Sequence, residues 1–297
     1  MSRIDVKKTD TLRANVAMSA PAGMKRKKNG TIKIHGFSKS TGLLWGTILI
    51  LVCLTIITFI QMDWGYSNLL DAARGSLNNF SVMVLHPGTD GLWTMEELLG
   101  DLMVTICLAL CTTLFGAVIA LFLALLAACN LTNKAVSNVV KIILTIARSI
   151  PTVIWVLVFV VAISLGAEAC IVGMMFHTVA FLAKAFSEAF EEVDSGVLEA
   201  VRSTGAPWLS VVSHCVLREK INEVFSWIFI RFENNFVNTV VIAAICGSGG
   251  IGYQLYLAAN MHFSLHAVGL ITYMCLAVSV VLEIIATCLR KRYVVKR

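Results

Sequence analysis

Six apolar segments, separated by polar stretches, most constrain how this chain of 297 residues can fold. Each is close to the roughly 20 residues that an α-helix needs to cross a bilayer. A barrel strand would instead alternate apolar and polar residues with a period of two. The sequence therefore predicts an all-α integral membrane protein with about six transmembrane helices, at approximately 43–61, 102–128, 140–165, 167–189, 221–246 and 266–289.

The composition supports the same class of protein. The chain is 58% hydrophobic and only 14% charged, whereas soluble domains carry roughly 25% charged residues. The net charge of +6 comes from basic residues that cluster beside the apolar segments, where such residues set orientation in the membrane. The nine cysteines form no Cys-x-x-Cys pair. We therefore expect no nucleic-acid partner and no metal site.

Charge also predicts how the chain is organised across the membrane. Residues 62–101 hold six acidic residues and one basic residue, whereas both termini are basic and the 190–220 loop carries Arg202, Arg218 and Lys220. Because cytoplasmic loops are enriched in Lys and Arg, both termini and that loop should be cytoplasmic. Residues 1–40 are predicted to be a basic segment that is disordered or at most an interfacial arm. Residues 41–100 should contain the first membrane helix and an extracytoplasmic loop. They are followed by a membrane core at 101–290 and a basic tail at 291–297.

A polar stretch from Glu199 to Leu217 interrupts the membrane core and is predicted to form two short helices around a glycine. Gly205 can adopt the left-handed conformation that ends a helix. Pro207 suits the first turn of the next helix, where its missing N–H costs nothing. Glu199 is expected in the first turn of the first helix. Such a compact unit at a membrane surface is suited to receiving mechanical force from another protein.

Ionisable residues inside the apolar segments mark candidate functional positions, since such groups are costly in hydrocarbon. Arg148 precedes Pro151 and can either snorkel to the surface or face a cavity. His177 is either a packing residue or part of a pathway. Arg231 lies near the predicted midplane and, being two residues from Glu233, does not face it on one helix. These two could line a polar pathway, contact a second copy, or belong to buried ion pairs with other partners.

The glycine-rich segment Gly247-Ser-Gly-Gly-Ile-Gly252 matches the letters of a dinucleotide-binding fingerprint, but not its context. That fingerprint requires a βαβ unit and an acidic residue about 20 positions later, where this chain has Thr272. Non-helical backbone at membrane depth, buried or lining a cavity, is the better interpretation. Gly247, Gly249, Gly250 and Gly252 are therefore candidate pathway residues.

These motifs together resemble those of ABC importer permeases. Glu199, Ala200 and Gly205 match their cytoplasmic EAA loop, with Val201 replacing the second alanine. Two stretches resemble phosphonate transport permeases in particular: Arg148-x-Ile-Pro151 and the run from His177 to Ala200. The glycine-rich segment, in which Ser248 replaces an alanine, resembles that of phosphonate and methionine-type permeases alike.

The resemblance implies a type I ABC importer permease fold, with residues 190–219 as its ATPase-coupling loop. It implies a homodimer in the cell membrane, two cytoplasmic ABC ATPase subunits and an extracytoplasmic substrate-binding protein. The implied cargo is a phosphonate, a phosphite or a phosphate ester. The implied residues are Glu199, Ala200, Gly205, Pro207 and Leu217 for coupling, and Arg148, Pro151, His177, Arg231, Glu233 and the four glycines for the pathway.

The chain carries no Walker motif and no catalytic motif, so we expect it to be no enzyme by itself. ATP and Mg would then be bound by the separate ATPase subunit, with no cofactor on this chain. Two alternatives remain at this stage. One is a methionine-type amino-acid importer permease, and the other is a non-transporting membrane scaffold that docks an ATPase.

Overall fold

A computed structural model of the chain describes residues 24–26, 32–34, 39–61 and 69–293. The chain divides into two compact units, residues 1–69 and 70–297. In the first, strand β1 (Met24–Arg26) pairs antiparallel with strand β2 (Ile32–Ile34). These strands differ from the disorder predicted for residues 1–40. Residues 1–23, 27–31 and 35–38 of that segment lie outside the described residues.

Helix α1 (Lys39–Gln61) confirms the first predicted membrane helix. Its side chains are exposed from Gly42 to Gln61, and its mean hydropathy is 2.6. Its threonine hydroxyls donate to backbone carbonyls one turn earlier, as Thr47 Oγ1 does to Leu43 O at 2.9 Å. Since these hydroxyls are satisfied within the helix, the whole surface of α1 is suited to lipid.

All regular secondary structure in the described residues of the second unit is helical. A π-helical turn, Val212–Val216, lies between the helices Trp208–Val211 and Leu217–Cys246. The helices are α2 (Leu69–Leu85), α3 (Met95–Ala127), α4 (Lys134–Ser149), α5 (Thr152–Ile163), α6 (Ala167–Glu191), α7 (Ser195–Ser203), α8 (Trp208–Val211), α9 (Leu217–Cys246), α10 (Ile251–Asn260) and α11 (Leu265–Tyr293).

Helix α2 occupies the segment that the sequence predicted as an extracytoplasmic loop. Its polarity hid it from a search for apolar spans, because Asp71 and Arg74 interrupt the apolar residues. The end of α2 is attached to α11, since Tyr273 Oη donates to Val84 O at 2.9 Å. Gly269 of α11 lies against the backbone of Met83, where a Cβ atom would overlap the Met83 carbonyl.

The prediction of about six membrane spans is confirmed, with one correction. Five helical segments of the described chain are long and apolar enough to cross a membrane, and α4 with α5 makes a sixth if counted as one span. The predicted single helix 140–165 is wrong, because α4 and α5 are bent by 86° at Pro151. Ile150 is extended, with φ −85° and ψ 123°, as the residue before a proline prefers.

Helix α6 packs closely against α3 and α5 because glycines lie at these contacts. A Cβ atom on Gly116 of α3 would lie 2.7 Å from Thr178 Cγ2 of α6. A Cβ atom on Gly173 of α6 would lie 2.5 Å from Val156 Cα of α5. Small residues at helix contacts allow the close approach on which packing within a membrane depends. This arrangement fixes the frame around the candidate site.

Candidate functional site

Helix α7 and the turn after it form the first half of the coupling loop (residues 190–219). Asp194 Oδ1 accepts a hydrogen bond from Gly196 N at 2.6 Å and caps the start of α7. Gly205 follows the end of the helix with φ +77°, and its N–H donates to Arg202 O at 3.0 Å. The predicted role of Gly205 in ending this helix is therefore confirmed.

Helix α7 has a buried face and an exposed face. Leu198 is 3% exposed and packs in the core cluster formed with α3 and α6. Glu199 and Ala200 are exposed, so their side chains are available to another protein. The expectation that Glu199 lies in the first turn is wrong, because α7 already begins at Ser195. Its distance from the helix N-terminus weakens any stabilisation by the helix dipole.

The coupling loop is attached to the connection between α3 and α4 by two contacts that the sequence did not predict. Arg202 Nη2 donates to Asn130 O at 2.6 Å, and Trp208 Nε1 donates to Leu131 O at 3.0 Å. Asn130 Nδ2 in turn donates to Phe190 O of α6 at 2.8 Å. The turn around Gly205 is thus fixed on both sides to the connection between α3 and α4, while the face carrying Glu199 remains open.

The second half of the coupling loop is not the separate short helix that the sequence predicted. Pro207 is the residue just before α8 rather than within its first turn, and its carbonyl accepts from Val211 N at 3.1 Å. From Trp208 the helix continues through the π turn to Cys246, a run of 39 residues. Leu217 therefore lies inside a continuous helix, which links the coupling loop directly to the membrane core.

Arg148 and Pro151 lie at the bend between α4 and α5. Arg148 is in the last turn of α4, and its side chain is exposed. The bend is held by Trp155, whose Nε1 donates across it to Ala147 O at 3.1 Å. Arg148 also borders a cavity between α4 and α6, which is one of the two placements expected from the sequence.

Arg231 lies inside the protomer, in a network of polar side chains. It is 4% exposed, and its Nε and Nη2 donate to Thr178 Oγ1 at 3.2 and 3.1 Å. Thr178 Oγ1 lies 3.2 Å from Asn235 Oδ1, and Asn235 Nδ2 donates to Thr113 Oγ1 at 2.9 Å. The ring of Phe181 covers the guanidinium at 5.2 Å. This network joins α3, α6 and α9.

His177 and Glu233 lie next to this network. His177 Nδ1 is buried and makes no hydrogen bond with the described residues, and the imidazole is within electrostatic range of Arg231 and Arg148. Glu233 is half-buried, two residues after Arg231 on α9. The structure thus brings His177, Arg148 and Arg231 into one region. Thr113 and Thr178 were missed, because the sequence alone does not show which threonines face each other across helices.

The glycine-rich segment lies well away from Arg231. Gly247 follows Arg231 by 16 residues of α9, a distance of roughly 24 Å along a helix. Gly247, Gly249 and Gly250 have φ between +58° and +78°, which confirms non-helical backbone at these positions. Gly252 differs because it lies within α10, against the backbone of Val240. These two groups of predicted pathway residues therefore lie at different depths.

The glycine-rich segment is fixed to the first turns of α3. A Cβ atom on Gly250 would lie 2.5 Å from Thr105 Oγ1, and the same oxygen accepts from Ile251 N at 2.9 Å. Gln254 Nε2 donates to Asp101 Oδ2 at 2.7 Å. The turn after α9 is thereby held against α3.

Comparison with solved structures defines the class of fold. The chain is similar to the inward-facing MetNI methionine ABC transporter, with a TM-score of 0.58, 21% identity, and coverage of 66% of this chain and 96% of that chain. It is also similar to a bacterial alginate ABC transporter solved with an alginate pentasaccharide-bound periplasmic protein, with a TM-score of 0.58, 16% identity, and coverage of 86% and 96%. The fold is that of a type I ABC importer permease.

Residues 116–295 match the family of binding-protein-dependent transport system inner membrane components, and the chain belongs to this family. It is therefore a multi-pass membrane protein.

Similar curated proteins include the phosphite transport system permease protein PtxC of Stutzerimonas stutzeri, 32% identical over 51% of this chain and 55% of that protein. The putative phosphite transport system permease protein HtxC of the same species is 32% identical over 63% and 65%. The methionine import system permease protein MetP of Bacillus subtilis is 30% identical over 42% and 59%. The matched stretches thus span 55% to 65% of these relatives.

Proposed function

We propose that this chain is the permease subunit of an ATP-driven, binding-protein-dependent ABC importer for a phosphorus oxyanion. The observation that carries the proposal is the coupling loop, whose exposed Glu199 face is attached to a helix continuous from Trp208 to Cys246. Family membership supports the same role. A non-transporting scaffold would need the exposed face but not its continuity with a membrane helix that carries a buried arginine.

The proposed mechanism follows from that continuity. When the two ATPase subunits close on each other, the subunit bound to α7 would displace this helix. Arg202 and Trp208 would move with it, together with the connection between α3 and α4 to which they donate hydrogen bonds. The displacement would reach α9 without passing through a flexible joint. In this way ATP binding and hydrolysis on a separate subunit would determine to which side of the membrane the pathway is open.

The proposed assembly contains two copies of this chain, two ABC ATPase subunits and an extracytoplasmic substrate-binding protein. ATP and Mg belong to the ATPase subunits in this proposal, and this chain supplies the pathway. In this proposal both termini and the coupling loop are cytoplasmic, because both termini are rich in Lys and Arg, as the positive-inside rule requires of cytoplasmic segments, and the loop is where an ATPase would bind. The alginate transporter, solved with a periplasmic protein bound, offers a precedent for this kind of partner.

A phosphorus oxyanion is the proposed cargo for two reasons. PtxC and HtxC, which are named for phosphite transport, are each 32% identical to this chain over 51% and 63% of its length, whereas the methionine permease MetP is 30% identical over 42%. In addition, Arg148 and Arg231 contribute positive charge near His177, which favours anions in a low-dielectric path.

The test compares Gly205→Val with Gly205→Asn in the reconstituted complex with its ATPase and binding protein. Asn tolerates a positive φ, whereas a β-branched residue is strained there. We expect Gly205→Asn to retain phosphite-stimulated ATP hydrolysis and phosphite uptake. Gly205→Val should reach the membrane at normal yield but lose most of the stimulation. Normal stimulation in Gly205→Val would contradict the coupling role, and absence of phosphorus-oxyanion uptake by the unmodified complex would contradict the cargo.

A further inference from the structure

A polar cavity lies between α4 and α6, on the side of the membrane core that carries the coupling loop. Its volume is about 200 Å³, room for about six waters at roughly 30 Å³ each. Five ionisable side chains line it: Lys141, Arg148, Lys184, Glu188 and Glu191. A small oxyanion with a few shell waters fits this volume.

The charges around the cavity do not balance. Lys141 Nζ lies 2.8 Å from Glu191 Oε1, and Lys184 Nζ lies 3.5 Å from Glu188 Oε1. Three cations and two carboxylates leave a net charge of +1. Arg148 is the remaining cation, and it forms no ion pair with any residue in the described part of the chain.

The ion pairs of this cavity differ in strength. Lys141 and Glu191 are held closely, because Glu191 Oε1 also accepts from Cys129 N at 2.8 Å. The Lys184–Glu188 pair is longer, and its side chains are 48% and 63% exposed. An exposed pair of this kind contributes little to stability. Lys184 can therefore leave Glu188 for a stronger acceptor beside Arg148.

The cavity lies along one side of α6 that starts near the buried network. His177, Lys184, Glu188 and Glu191 follow at spacings of seven, four and three residues, which places them on one helical face. His177 is within electrostatic range of Arg148. At the other end, Glu191 is the last residue of α6 and lies at the start of the coupling loop. The polar face thus extends from the membrane core to the side on which the ATPase is proposed to bind.

We propose that this cavity is a binding site for the free phosphorus oxyanion on the coupling-loop side of the membrane. Arg148 supplies the guanidinium, whose fork of N–H donors matches two oxygens of a tetrahedral anion. Lys184 supplies a second, movable cation. During import, the anion occupies this site immediately before its release on the coupling-loop side. The site also binds the anion from that side when its concentration there is high. This inference rests on the proposed function for its choice of anion.

The test measures binding of phosphite and of methylphosphonate to the full-length chain, reconstituted in phosphatidylcholine nanodiscs without ATPase. Line broadening in ³¹P spectra gives the dissociation constant. We expect Arg148→Gln to weaken binding of both anions at least tenfold and Lys184→Gln at least threefold. Arg148→Lys should restore part of the loss, because it restores the charge without the fork. Lys134→Gln, at the exposed start of α4, should stay within twofold of the unmodified chain.

Three results would overturn the site: no binding to the unmodified chain, equal binding by Arg148→Gln, or binding abolished by adding phosphatidylglycerol. The last would assign the cavity to an anionic lipid headgroup. Each variant is compared only at equal yield of monodisperse protein, and Arg148→Lys provides the measurement if Arg148→Gln does not fold. If the complete transporter imports phosphite while the site fails these tests, the proposed function stands without it. If the site binds but no phosphorus oxyanion is imported, the proposed function fails instead.

Discussion

Replacing Asn235 by Leu should destabilise the membrane core, whereas the same change at Asn234 should not. The two residues are neighbours on α9 with opposite surroundings. Asn235 is fully buried and connects Thr178 of α6 with Thr113 of α3. Asn234 is exposed, and its Nδ2 donates only within its own helix, to Ile230 O at 2.9 Å. Leucine has the same number of side-chain heavy atoms in the same branched arrangement but cannot make a hydrogen bond.

The magnitude follows from the two interhelical hydrogen bonds that Asn235→Leu removes. Such bonds in helical membrane proteins contribute about 0.6 kcal/mol on average and at most about 1.7 kcal/mol. Two average bonds therefore give a loss of about 1.2 kcal/mol, and two of the strongest give about 3.4 kcal/mol. Thr113 keeps its own acceptor, since its Oγ1 donates to Ala109 O at 2.7 Å. Thr178 loses the acceptor for its hydroxyl proton, so we expect the loss of unfolding free energy to lie in the upper half of this range.

The free energy of unfolding, measured by denaturing detergent titration of the protein in bicelles, tests this prediction. Asn234→Leu should change it by less than about 0.5 kcal/mol, as surface substitutions usually do. The reasoning is refuted if Asn235→Leu costs no more than Asn234→Leu. Such a result would mean that the Arg231 network does not hold α3, α6 and α9 together.

Two further predictions concern the glycine-rich segment and the orientation. Gly250→Ala should lower the thermal unfolding midpoint more than Gly249→Ala. Gly250 has φ 78° and ψ −178°, a region essentially restricted to glycine, and an added Cβ atom would contact Thr105, whereas nothing lies within 4 Å of one added at Gly249. Equal shifts would show that the contact with α3 is unimportant. In intact cells, an impermeant thiol reagent should label a cysteine introduced at Asp90 but not one at Thr204, in a background without native cysteines. Labelling at Thr204 would reverse the proposed orientation.

The membrane helices could be predicted from the sequence because lipid imposes one requirement on every span. A helix such as α1 must be apolar over about 20 residues, and this pattern is visible without any partner. Helix α2 was missed because it does not meet that requirement. A proline inside a helical segment favours a kink, but the 86° bend at Pro151 depends on how α5 packs against α6, where Gly173 admits the backbone of Val156.

The candidate site could be predicted only as separate motifs. Gly205 needs a positive φ, which is a local property that a sequence reveals. The contact between Arg202 and Asn130 joins residues 72 apart in the chain, and nothing local to either residue indicates it. The same holds for Asn235 and Thr113. The sequence identified Arg231 as costly in a membrane, but its partners depend on the packing of three helices.

The distribution of these contacts indicates which parts of the membrane core can move. Helices α3, α6 and α9 are joined by the Arg231 network and by the close contact at Gly116, so relative sliding would break several buried contacts at once. The helical hydrogen bonds are interrupted instead at Pro151 and at Gly247–Gly250. We therefore expect motion from the coupling loop to carry α3, α6 and α9 as one body and to bend the chain at these two places.

Spin labels on exposed positions of α3 and α6 should keep their separation between nucleotide-free and ATP-bound complexes, whereas labels on α4 and α5 should change theirs. A change between α3 and α6 of the same size would show that the polar network rearranges during transport.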